Sequence, residues 1–353
     1  MKKSICLIIP SLSSGGAERQ MSYLIQFLNE MGIKPTVITY YPKKDYVENL
    51  DINRIRITEK SFVKFIKVVR SIIKEKPDVV LSYTWMPNVL AIISSFFLKQ
   101  TKIVVSERNT SLKYDLLTRM LFNLYRRADV VVANSNSQTE FIKQNASFLC
   151  PTLKTITNYT DINHFPFHIK PKNTILKIGV LARYHPQKNI VRFLEAVKIL
   201  NQKHSQQMEF YWYGSSFGSE YYTHCENLRE QYALQNVYFN NFADDVAGIL
   251  QEMDVVCLPS LYEGFANALS EAVCAGKPVL ASNVCDNPTF VKDGENGFLF
   301  DPNNPKDIAK AFEKLIMLDE GQFIALQKSS RKLATTLFSK EQFISNYTKI
   351  LYK

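Results

Sequence analysis

Glu263 and Glu271 are separated by seven residues in the stretch 259–301. Glu263 lies in a Gly-containing turn after the apolar run 255–258, and Glu271 lies in the helical pattern that follows. A strand, a tight turn and a helix can form a ligand-binding corner of a parallel sheet, because the first helical turn has unpaired N–H groups. At about 1.5 Å per helical residue, the two carboxylates address points on the order of 10 Å apart. A sugar nucleotide has this length.

Two cations occupy the loop Arg-Tyr-His-Pro-Gln-Lys at residues 183–188. Arg183 follows a predicted strand and Lys188 precedes a predicted helix, so both charges lie beside a positive helix terminus. This arrangement suits a diphosphate whose negative charge rises as it leaves. Considered alone, the loop is better explained by two solvated surface cations, and His185 is best interpreted as loop scaffolding.

A Gly-rich turn, Ser-Ser-Gly-Gly-Ala-Glu-Arg at residues 13–19, follows the first predicted strand. Its spacing is not G-x-G-x-x-G, so the dinucleotide-binding fingerprint is absent. Gly15 and Gly16 would let backbone N–H groups approach a phosphate or a sugar closely. Alone this is a weak signal, because a Gly-Gly pair more often forms only a turn.

The elements around these residues alternate between short β-branched runs and amphipathic helical patterns along the whole chain, which predicts parallel, doubly wound sheets. The length of 353 residues favours two domains. We therefore predict an α/β fold with two doubly wound, Rossmann-like domains facing a central cleft at the carboxyl ends of the strands. The predicted parts are an amino-terminal domain (1–165), a linker (166–173) and a carboxyl-terminal domain (174–339). For the final helix (340–353), packing against the first domain is an open alternative.

The composition, 46% hydrophobic and 22% charged, is ordinary for a soluble protein. The six cysteines form no CxxC pair, which argues for reduced thiols in the cytoplasm and against a zinc site. His164 and His168 are separated by Pro166, which breaks the helix that a metal pair at this spacing would need. The apolar run near the amino terminus is shorter than a signal h-region of about 7–15 residues. No uninterrupted apolar run reaches about 18 residues, so we expect no membrane span.

The net charge of +10 is concentrated in one half of the chain. Residues 1–170 contain 24 Lys and Arg against 13 Asp and Glu, whereas residues 171–353 contain 19 against 20. Within the first half, residues 60–76 combine basic and apolar side chains at helical spacing. Such a helix fits an anionic membrane surface. A packed helix with a solvated basic face explains the pattern equally well. No nucleic-acid-binding motif accompanies the charge.

The order of these motifs resembles the retaining family 4 glycosyltransferases over nearly the whole chain. The residues that carry the resemblance to the donor half are Arg183, Lys188, Glu263-Gly264-Phe265, Glu271-Ala272, Gly276-Lys277-Pro278-Val279, Asp293-Gly294 and Gly297. Residues 15–19 and 132–135 resemble the acceptor half. The resemblance implies a GT-B fold, a nucleotide-sugar co-substrate, and no metal ion or other cofactor.

The resemblance also implies roles for individual residues. Arg183 and Lys188 would hold the donor diphosphate, and Glu271 would accept hydrogen bonds from the ribose hydroxyls. Glu263 would bind hydroxyls of the transferred sugar, with help from the backbone N–H groups of residues 264–267. Carboxylates accept hydrogen bonds from hydroxyls, and Arg and Lys suit phosphates. The implied donor-binding residues are Gly15, Gly16, Arg183, Lys188, Phe242, Ala243, Glu263, Gly264, Phe265, Ala266, Asn267 and Glu271.

The chain departs from the family pattern after the predicted strand 102–106. Many relatives carry a His there, whereas this chain has Glu107 within Ser-Glu-Arg-Asn. Glu107 is therefore a candidate for the side chain that assists at the anomeric carbon, beside the catalytic candidates Arg183, Lys188 and Glu263. Arg108 or Arg119 is a candidate for contact with an acceptor pyrophosphate.

The resemblance implies a retaining, metal-independent hexosyl or N-acetylhexosaminyl transferase. The expected donor is a UDP-sugar, and the expected acceptor is a polyprenyl-diphosphate-linked saccharide used in bacterial surface glycan synthesis. We expect such an enzyme to work at the cytoplasmic face of the cell membrane, held there by its basic amino-terminal half. Two alternatives stand: a nucleotide-sugar 2-epimerase of the same fold, and a non-catalytic nucleotide-sugar-binding partner of a glycan assembly complex.

Overall fold

The computed structural model describes residues 3–13, 15–41, 45, 49–59, 61–108, 113–204, 207–242 and 245–352. The chain divides into two compact units. The first unit contains residues 1–159 together with 340–353, and the second contains residues 160–339.

The first unit is a parallel sheet with helices on both faces. Its elements are β1 (Ile5–Ile8), α1 (Gly16–Glu30), β2 (Thr36–Thr39), β3 (Asn53–Arg56), α2 (Val63–Glu75), β4 (Val79–Tyr83), α3 (Trp85–Ser95), β5 (Lys102–Glu107), α4 (Leu116–Leu124), β6 (Val130–Ala133), α5 (Asn136–Asn145) and β7 (Leu153–Thr155). In the part of the unit that the structure describes, the strands lie in the order β3-β2-β1-β4-β5-β6-β7. The order reverses direction between β1 and β4, where ligands bind in sheets of this kind.

Both faces of this sheet are buried, which explains the continuous β-branched composition of its central strands. On one face the strands pack against Met21 and Leu24 of α1. On the other face they pack against α2, α3, α4 and α5, for example through Val68 and Phe122. The edge strands β3 and β7 are short and partly polar, so neither forms a β-branched run of the kind that predicts a strand.

The second unit repeats this architecture with a smaller sheet. Its elements are β8 (Leu176–Leu181), α6 (Ile190–His204), β9 (Met208–Gly214), α7 (Glu220–Gln231), β10 (Val237–Asn241), α8 (Val246–Glu252), β11 (Val255–Leu258), α9 (Asn267–Cys274), β12 (Val279–Ser282), α10 (Asn287–Phe290), β13 (Gly297–Phe300), α11 (Pro305–Met317) and α12 (Glu320–Leu337). The described strands are parallel and lie in the order β10-β9-β8-β11-β12-β13. Here the order reverses between β8 and β11.

The predicted domain boundary is wrong by several residues, and the predicted linker 166–173 is part of the second unit. Phe165 is buried in the core of that unit. The backbone of Lys170 exchanges two hydrogen bonds with the side-chain amide of Gln327, at 3.0 and 2.8 Å. The polar, Pro-containing composition resembles a linker, but these contacts fix the segment on α12.

The final helix α13 (Lys340–Tyr352) belongs to the first unit, although it follows the second unit in sequence. It buries Phe343, Tyr347 and Leu351 on the sheet face that α1 also covers. The hydroxyl groups of Tyr347 and Tyr83 are hydrogen-bonded at 2.5 Å, which fixes α13 to the end of β4.

Candidate functional site

A largely buried ion pair in the second unit joins Lys188 to Glu263. Lys188 ends a single 3-10 turn (Pro186–Lys188) after β8, and Glu263 follows β11. The strands β8 and β11 are hydrogen-bonded neighbours, so their carboxyl ends meet where the strand order reverses. The Lys188 Nζ donates to Glu263 Oε1 at 2.5 Å, and the two side chains are 13% and 9% exposed. A predicted phosphate-binding cation and a predicted sugar-binding carboxylate are therefore in direct contact.

Asn189 holds this pair in place. It has a left-handed backbone conformation with φ 62°, and its side chain is buried. The Asn189 Nδ2 donates to the carbonyls of Pro259 and Pro302, at 3.0 and 2.7 Å. A second link runs from the Gln187 amide to the Tyr262 carbonyl at 2.8 Å. Together these bonds fix the loop that carries Lys188 against the loop that carries Glu263.

Arg183 differs from Lys188 because its side chain is exposed. Among the described residues no hydrogen bond or ion pair of its guanidinium is found. Its backbone neighbour is fixed, since the Ala182 carbonyl accepts from Trp212 Nε1 at 2.7 Å. Gly214 permits this close approach, because a Cβ there would lie 2.1 Å from the same carbonyl oxygen. The backbone at Arg183 is thus held in place, whereas its guanidinium is exposed and available to a ligand.

Glu271 lies in α9 and is only 5% exposed. The helix begins after Ala266, which makes no side-chain capping bond. In the described part of the chain, the N–H groups of Gly264, Phe265 and Ala266 donate to no other group. The carboxylate of Glu263 and three backbone donors therefore adjoin the positive end of α9.

The structure corrects one detail of the predicted donor site, the N–H of Asn267, and agrees with the predicted use of the Phe265 backbone. The N–H of Asn267 donates to the Phe265 carbonyl at 3.0 Å, so that N–H is not available to a sugar. The Phe265 side chain is 9% exposed and packs edge-on against Phe290, with ring centroids 5.1 Å apart. Phe265 is a core side chain, and only its backbone can contact a ligand.

Phe242 follows β10 and exposes 49% of its surface. Its N–H donates to the side chain of Asn241 at 2.8 Å, which leaves the carbonyl as the backbone group for reading a base. Ala243, the next residue in the set of implied donor-binding residues, lies outside the described residues. The sequence interpretation missed Phe217, which is exposed after β9. Its ring packs on that of Tyr222, with 4.3 Å between the ring centroids.

In the first unit, Gly15 precedes α1 and Gly16 is its first residue. The backbone of Gly15 is extended (φ −69°, ψ 160°), and no side chain caps the helix. A Cβ on Gly15 would lie 2.3 Å from a carboxylate oxygen of Glu18, so a larger residue would displace that side chain. The first turn of α1 thus keeps the open backbone that the sequence predicted for a phosphate or a sugar.

Glu107 is buried at the end of β5 in the first unit. Its carboxylate is 6% exposed and accepts hydrogen bonds from the Tyr125 hydroxyl and, at 3.3 Å, from Asn88 Nδ2. Burial raises the pKa of Glu107 above its ordinary value, and the two hydrogen bonds oppose that shift. Glu107 thus orders the end of β5, and its contact with the reacting sugar stays a prediction. The sequence interpretation missed Asn88 and Tyr125, whose spacing gave no sign of this network.

The two arginines predicted to meet an acceptor have different environments. Arg119 is exposed on α4. Arg108 is 7% exposed and its guanidinium lies over the Tyr83 ring, with 4.3 Å between Cζ and the ring centroid.

Among the residues that the structure describes, no group of three or more His, Cys, Asp or Glu side chains could hold a metal ion. Within the same residues, no helix is long and apolar enough to cross a bilayer.

Comparison with known families covers both units. The model of glycosyltransferase family 4 matches residues 14–162, and that of glycosyl transferases group 1 matches residues 161–332. The chain is a family 4 glycosyltransferase. The predicted family and the predicted GT-B fold class are both confirmed.

Three curated relatives are similar to this chain over different lengths. A lipopolysaccharide core biosynthesis glycosyltransferase of Rhizobium meliloti is 23% identical over 96% of both chains. A Campylobacter jejuni alpha-1,4-N-acetyl-D-galactosaminyltransferase, named for a diNAcBac-PP-undecaprenol-linked saccharide, is 24% identical over 90% of this glycosyltransferase and 89% of its own length. A Staphylococcus aureus poly(ribitol-phosphate) alpha-N-acetylglucosaminyltransferase is 23% identical over 62% of this chain, which matches only 41% of that relative.

The fold agrees with a solved glycosyltransferase structure. The crystal structure of Anabaena HepE in complex with UDP and glucose superimposes with a TM-score of 0.85 over 99% of both chains, at 22% identity. At this identity the agreement concerns the fold, so the donor and acceptor of this glycosyltransferase must be argued from its own residues.

Proposed function

We propose that this glycosyltransferase transfers a hexosyl or N-acetylhexosaminyl unit from a UDP-sugar to a polyprenyl-diphosphate-linked saccharide in surface glycan synthesis. The observation that carries the proposal is the Lys188–Glu263 pair, together with the exposed Arg183 on the same loop as Lys188. It combines groups for a diphosphate with a group for sugar hydroxyls at one sheet edge. The names of relatives that use undecaprenyl-diphosphate-linked saccharides support the acceptor class.

The proposed transfer proceeds with retention and without a metal ion. Arg183 and Lys188 stabilise the charge that grows on the diphosphate as the bond between the anomeric carbon and its oxygen breaks. The acceptor hydroxyl attacks the same face of the anomeric carbon, and its proton passes to the departing diphosphate oxygen. Glu263 orients the transferred sugar through its hydroxyls, and Glu271 accepts hydrogen bonds from the ribose. None of these steps requires a covalent intermediate on the protein.

A panel assay tests this proposal. The protein is incubated with UDP- and GDP-sugars, with and without a polyprenyl-diphosphate-linked saccharide, and nucleotide release and product linkage are measured. We expect acceptor-dependent release of UDP, an α-linked product from an α-linked donor, and the same rate in EDTA. A new UDP-sugar formed without any acceptor would instead identify an epimerase. Donor binding without turnover across the panel would identify a non-catalytic partner.

The proposed acceptor is anchored in a membrane, and one face of the first unit fits an anionic bilayer. Helices α2, α3 and α4 cover the same face of the sheet. Their outward side chains include large apolar groups that are 57–74% exposed, namely Phe62, Phe96, Phe97, Leu116, Leu117 and Met120. Exposed cations lie on and beside the same helices, namely Lys67, Arg70, Lys74, Lys113 and Arg119. We call these residues the basic–apolar face.

The basic–apolar face extends beyond the helix that the sequence singled out. Helix α2 buries Val68 and Ile72 in the core of the unit, so only part of its apolar side is exposed. The strongest exposure is on α4, where Leu117 and Met120 are 69% and 62% exposed. Apolar side chains of this kind enter the headgroup region while nearby cations interact with anionic lipids.

Vesicle flotation tests the basic–apolar face separately from catalysis. The wild type should float with vesicles of phosphatidylcholine and phosphatidylglycerol, and much less with phosphatidylcholine alone. The double variant Leu117→Ser/Met120→Ser should lose most of this binding. Met317→Ser is the matched control, because Met317 is 77% exposed on α11 of the second unit. Unchanged flotation of the double variant would contradict the assignment of this face.

A further inference from the structure

Arg108 is a buried cation whose hydrogen-bonding capacity is only partly used. It follows β5 and is 7% exposed. Its Nη2 donates to the side-chain oxygen of Asn158 at 2.6 Å, and its guanidinium stacks on the Tyr83 ring. Within the part of the chain that the structure describes, its Nε and Nη1 are buried and have no hydrogen-bond partner. Most buried polar groups in proteins are hydrogen-bonded, so two unpaired donors on one side chain call for an explanation.

Two neighbouring side chains, Asn134 and Ser106, also have a buried polar atom without a hydrogen-bond partner among the described residues. The register of β5 and β6 pairs Glu107 with Ala133, which brings the next residues, Arg108 and Asn134, together. The Asn134 Nδ2 donates to the Arg108 carbonyl at 3.1 Å, but Asn134 Oδ1 is buried and has no partner among the described residues. The same holds for the Ser106 hydroxyl. Four polar atoms without a described partner thus lie at the carboxyl ends of two adjacent strands.

The charge of Arg108 is likewise uncompensated. Among the described residues, no Asp or Glu carboxylate forms an ion pair with it. Glu107 is adjacent in sequence, but side chains alternate along a strand, and its carboxylate bonds to Asn88 and Tyr125 instead. A buried charge without a partner is strongly unfavourable, whereas Lys188 in the second unit has Glu263. An anionic ligand would supply the missing charge and hydrogen-bond acceptors.

We propose that Arg108 binds the diphosphate of the lipid-linked acceptor, an inference that rests on the proposed function. A guanidinium suits phosphate oxygens, because its planar N–H groups match their geometry. Tyr83 and Asn158 hold it in one orientation, so little side-chain entropy is lost on binding. The donor also carries a diphosphate, but Arg183 and Lys188 of the second unit are assigned to that group. This leaves the acceptor diphosphate for the first unit.

Binding of inorganic pyrophosphate tests the site without any turnover. The protein is first saturated with UDP, so that the donor site is filled, and pyrophosphate is then titrated by calorimetry. The wild type should bind pyrophosphate, and Arg108→Gln should weaken binding roughly 10- to 100-fold, the equivalent of one charged hydrogen bond. Arg126→Gln is the matched control, since Arg126 is exposed and stacks on Phe148 at 4.1 Å. Equal affinity of Arg108→Gln and the wild type would overturn the proposal.

A second variant covers the case in which Arg108→Gln folds poorly. Asn158→Asp keeps Arg108 and places a carboxylate beside its Nη2, so the protein supplies the counter-charge itself. We expect the thermal midpoint of Asn158→Asp to equal or exceed that of the wild type, and pyrophosphate binding to fall at least 10-fold. A folded Asn158→Asp protein that binds pyrophosphate like the wild type would contradict the proposal.

A comparison of acceptors separates the two diphosphates. The same saccharide is offered on polyprenyl diphosphate and on a neutral alkyl chain, and kcat/KM is measured for the wild type and Arg108→Gln. The wild type should prefer the diphosphate acceptor, and the variant should lose roughly 10- to 100-fold on that acceptor alone. An unchanged acceptor preference with a raised KM for the donor would overturn the acceptor assignment. If no acceptor is used at all, the proposed function fails, and the pyrophosphate titration still decides on Arg108.

Discussion

Replacing Lys188 by Met separates the structural role of the Lys188–Glu263 pair from its role in transfer. The substitution removes the ammonium but keeps a side chain of similar length. It leaves the Glu263 carboxylate in a site that is 9% exposed, without its lysine partner. Stability and activity should both fall, for different physical reasons.

The size of the stability loss follows from burial. Removing one partner of a buried ion pair destabilises a protein by about 3–5 kcal/mol. Both side chains keep some contact with water, at 13% and 9% exposed, so we expect a value near the lower limit, about 3 kcal/mol. In a unit the size of residues 160–339, 1 kcal/mol shifts the melting midpoint by about 2–4 °C, so the midpoint should fall by roughly 6–12 °C. Loss of the cation at the diphosphate should lower kcat by about 10²- to 10³-fold.

Calorimetric melting and nucleotide release measure the two effects side by side. The double variant Lys188→Met/Glu263→Leu removes both charges of the ion pair, so most of the stability should return while transfer stays low. A double variant as unstable as Lys188→Met would refute the ion-pair reasoning. Transfer at the wild-type rate by Lys188→Met would refute the assignment of Lys188 to the diphosphate.

Three further substitutions probe other parts of the second unit. Arg183→Gln should change the free energy of unfolding by less than about 0.5 kcal/mol, because the side chain is exposed, yet lower kcat by about 10²-fold. Asn189→Gly keeps the left-handed backbone but loses both side-chain bonds, and should destabilise by about 1–3 kcal/mol in chemical denaturation and lower kcat by misplacing Lys188. Burial lowers the pKa of Lys277 to about 8, so between this value and 10.5 the unfolded chain binds a proton that the folded chain does not. Wild-type stability should therefore gain about 3 kcal/mol from this group as the pH rises through that window, and Lys277→Met should lack the gain and be more stable at pH 7.

The sequence located the ends of the strands but not the contacts between them. Strand–helix alternation placed Lys188 and Glu263 after separate strands, and parallel pairing brings such ends to one edge. Their direct contact depends on Asn189, whose side chain reaches the carbonyls of Pro259 and Pro302. An Asn before a helix ordinarily predicts a cap, so nothing local in the sequence indicates these long-range bonds.

Contacts between residues that are distant in the chain account for what the sequence did not predict. The hydrogen bond from the Tyr125 hydroxyl to the Glu107 carboxylate joins two elements whose spacing gives no sign of it. Residues 166–173 have the composition of a linker, but their backbone bonds to Gln327 on a helix more than 150 residues later. Composition and local spacing carry no information about partners so far away in the chain.

Lys188 also limits how the two parts of a donor can be recognised. An ammonium has three donors, and Glu263 uses one of them at 2.5 Å. In the proposed complex, Lys188 would therefore bind a diphosphate oxygen without releasing Glu263. The carboxylate proposed to orient the sugar would then stay fixed by the cation proposed to hold the diphosphate. A diphosphate without a sugar would place its negative charge near Glu263 and gain none of the hydroxyl hydrogen bonds that offset this repulsion. The pair should thus favour a nucleotide sugar over the free nucleotide, which helps the product nucleotide to leave after transfer.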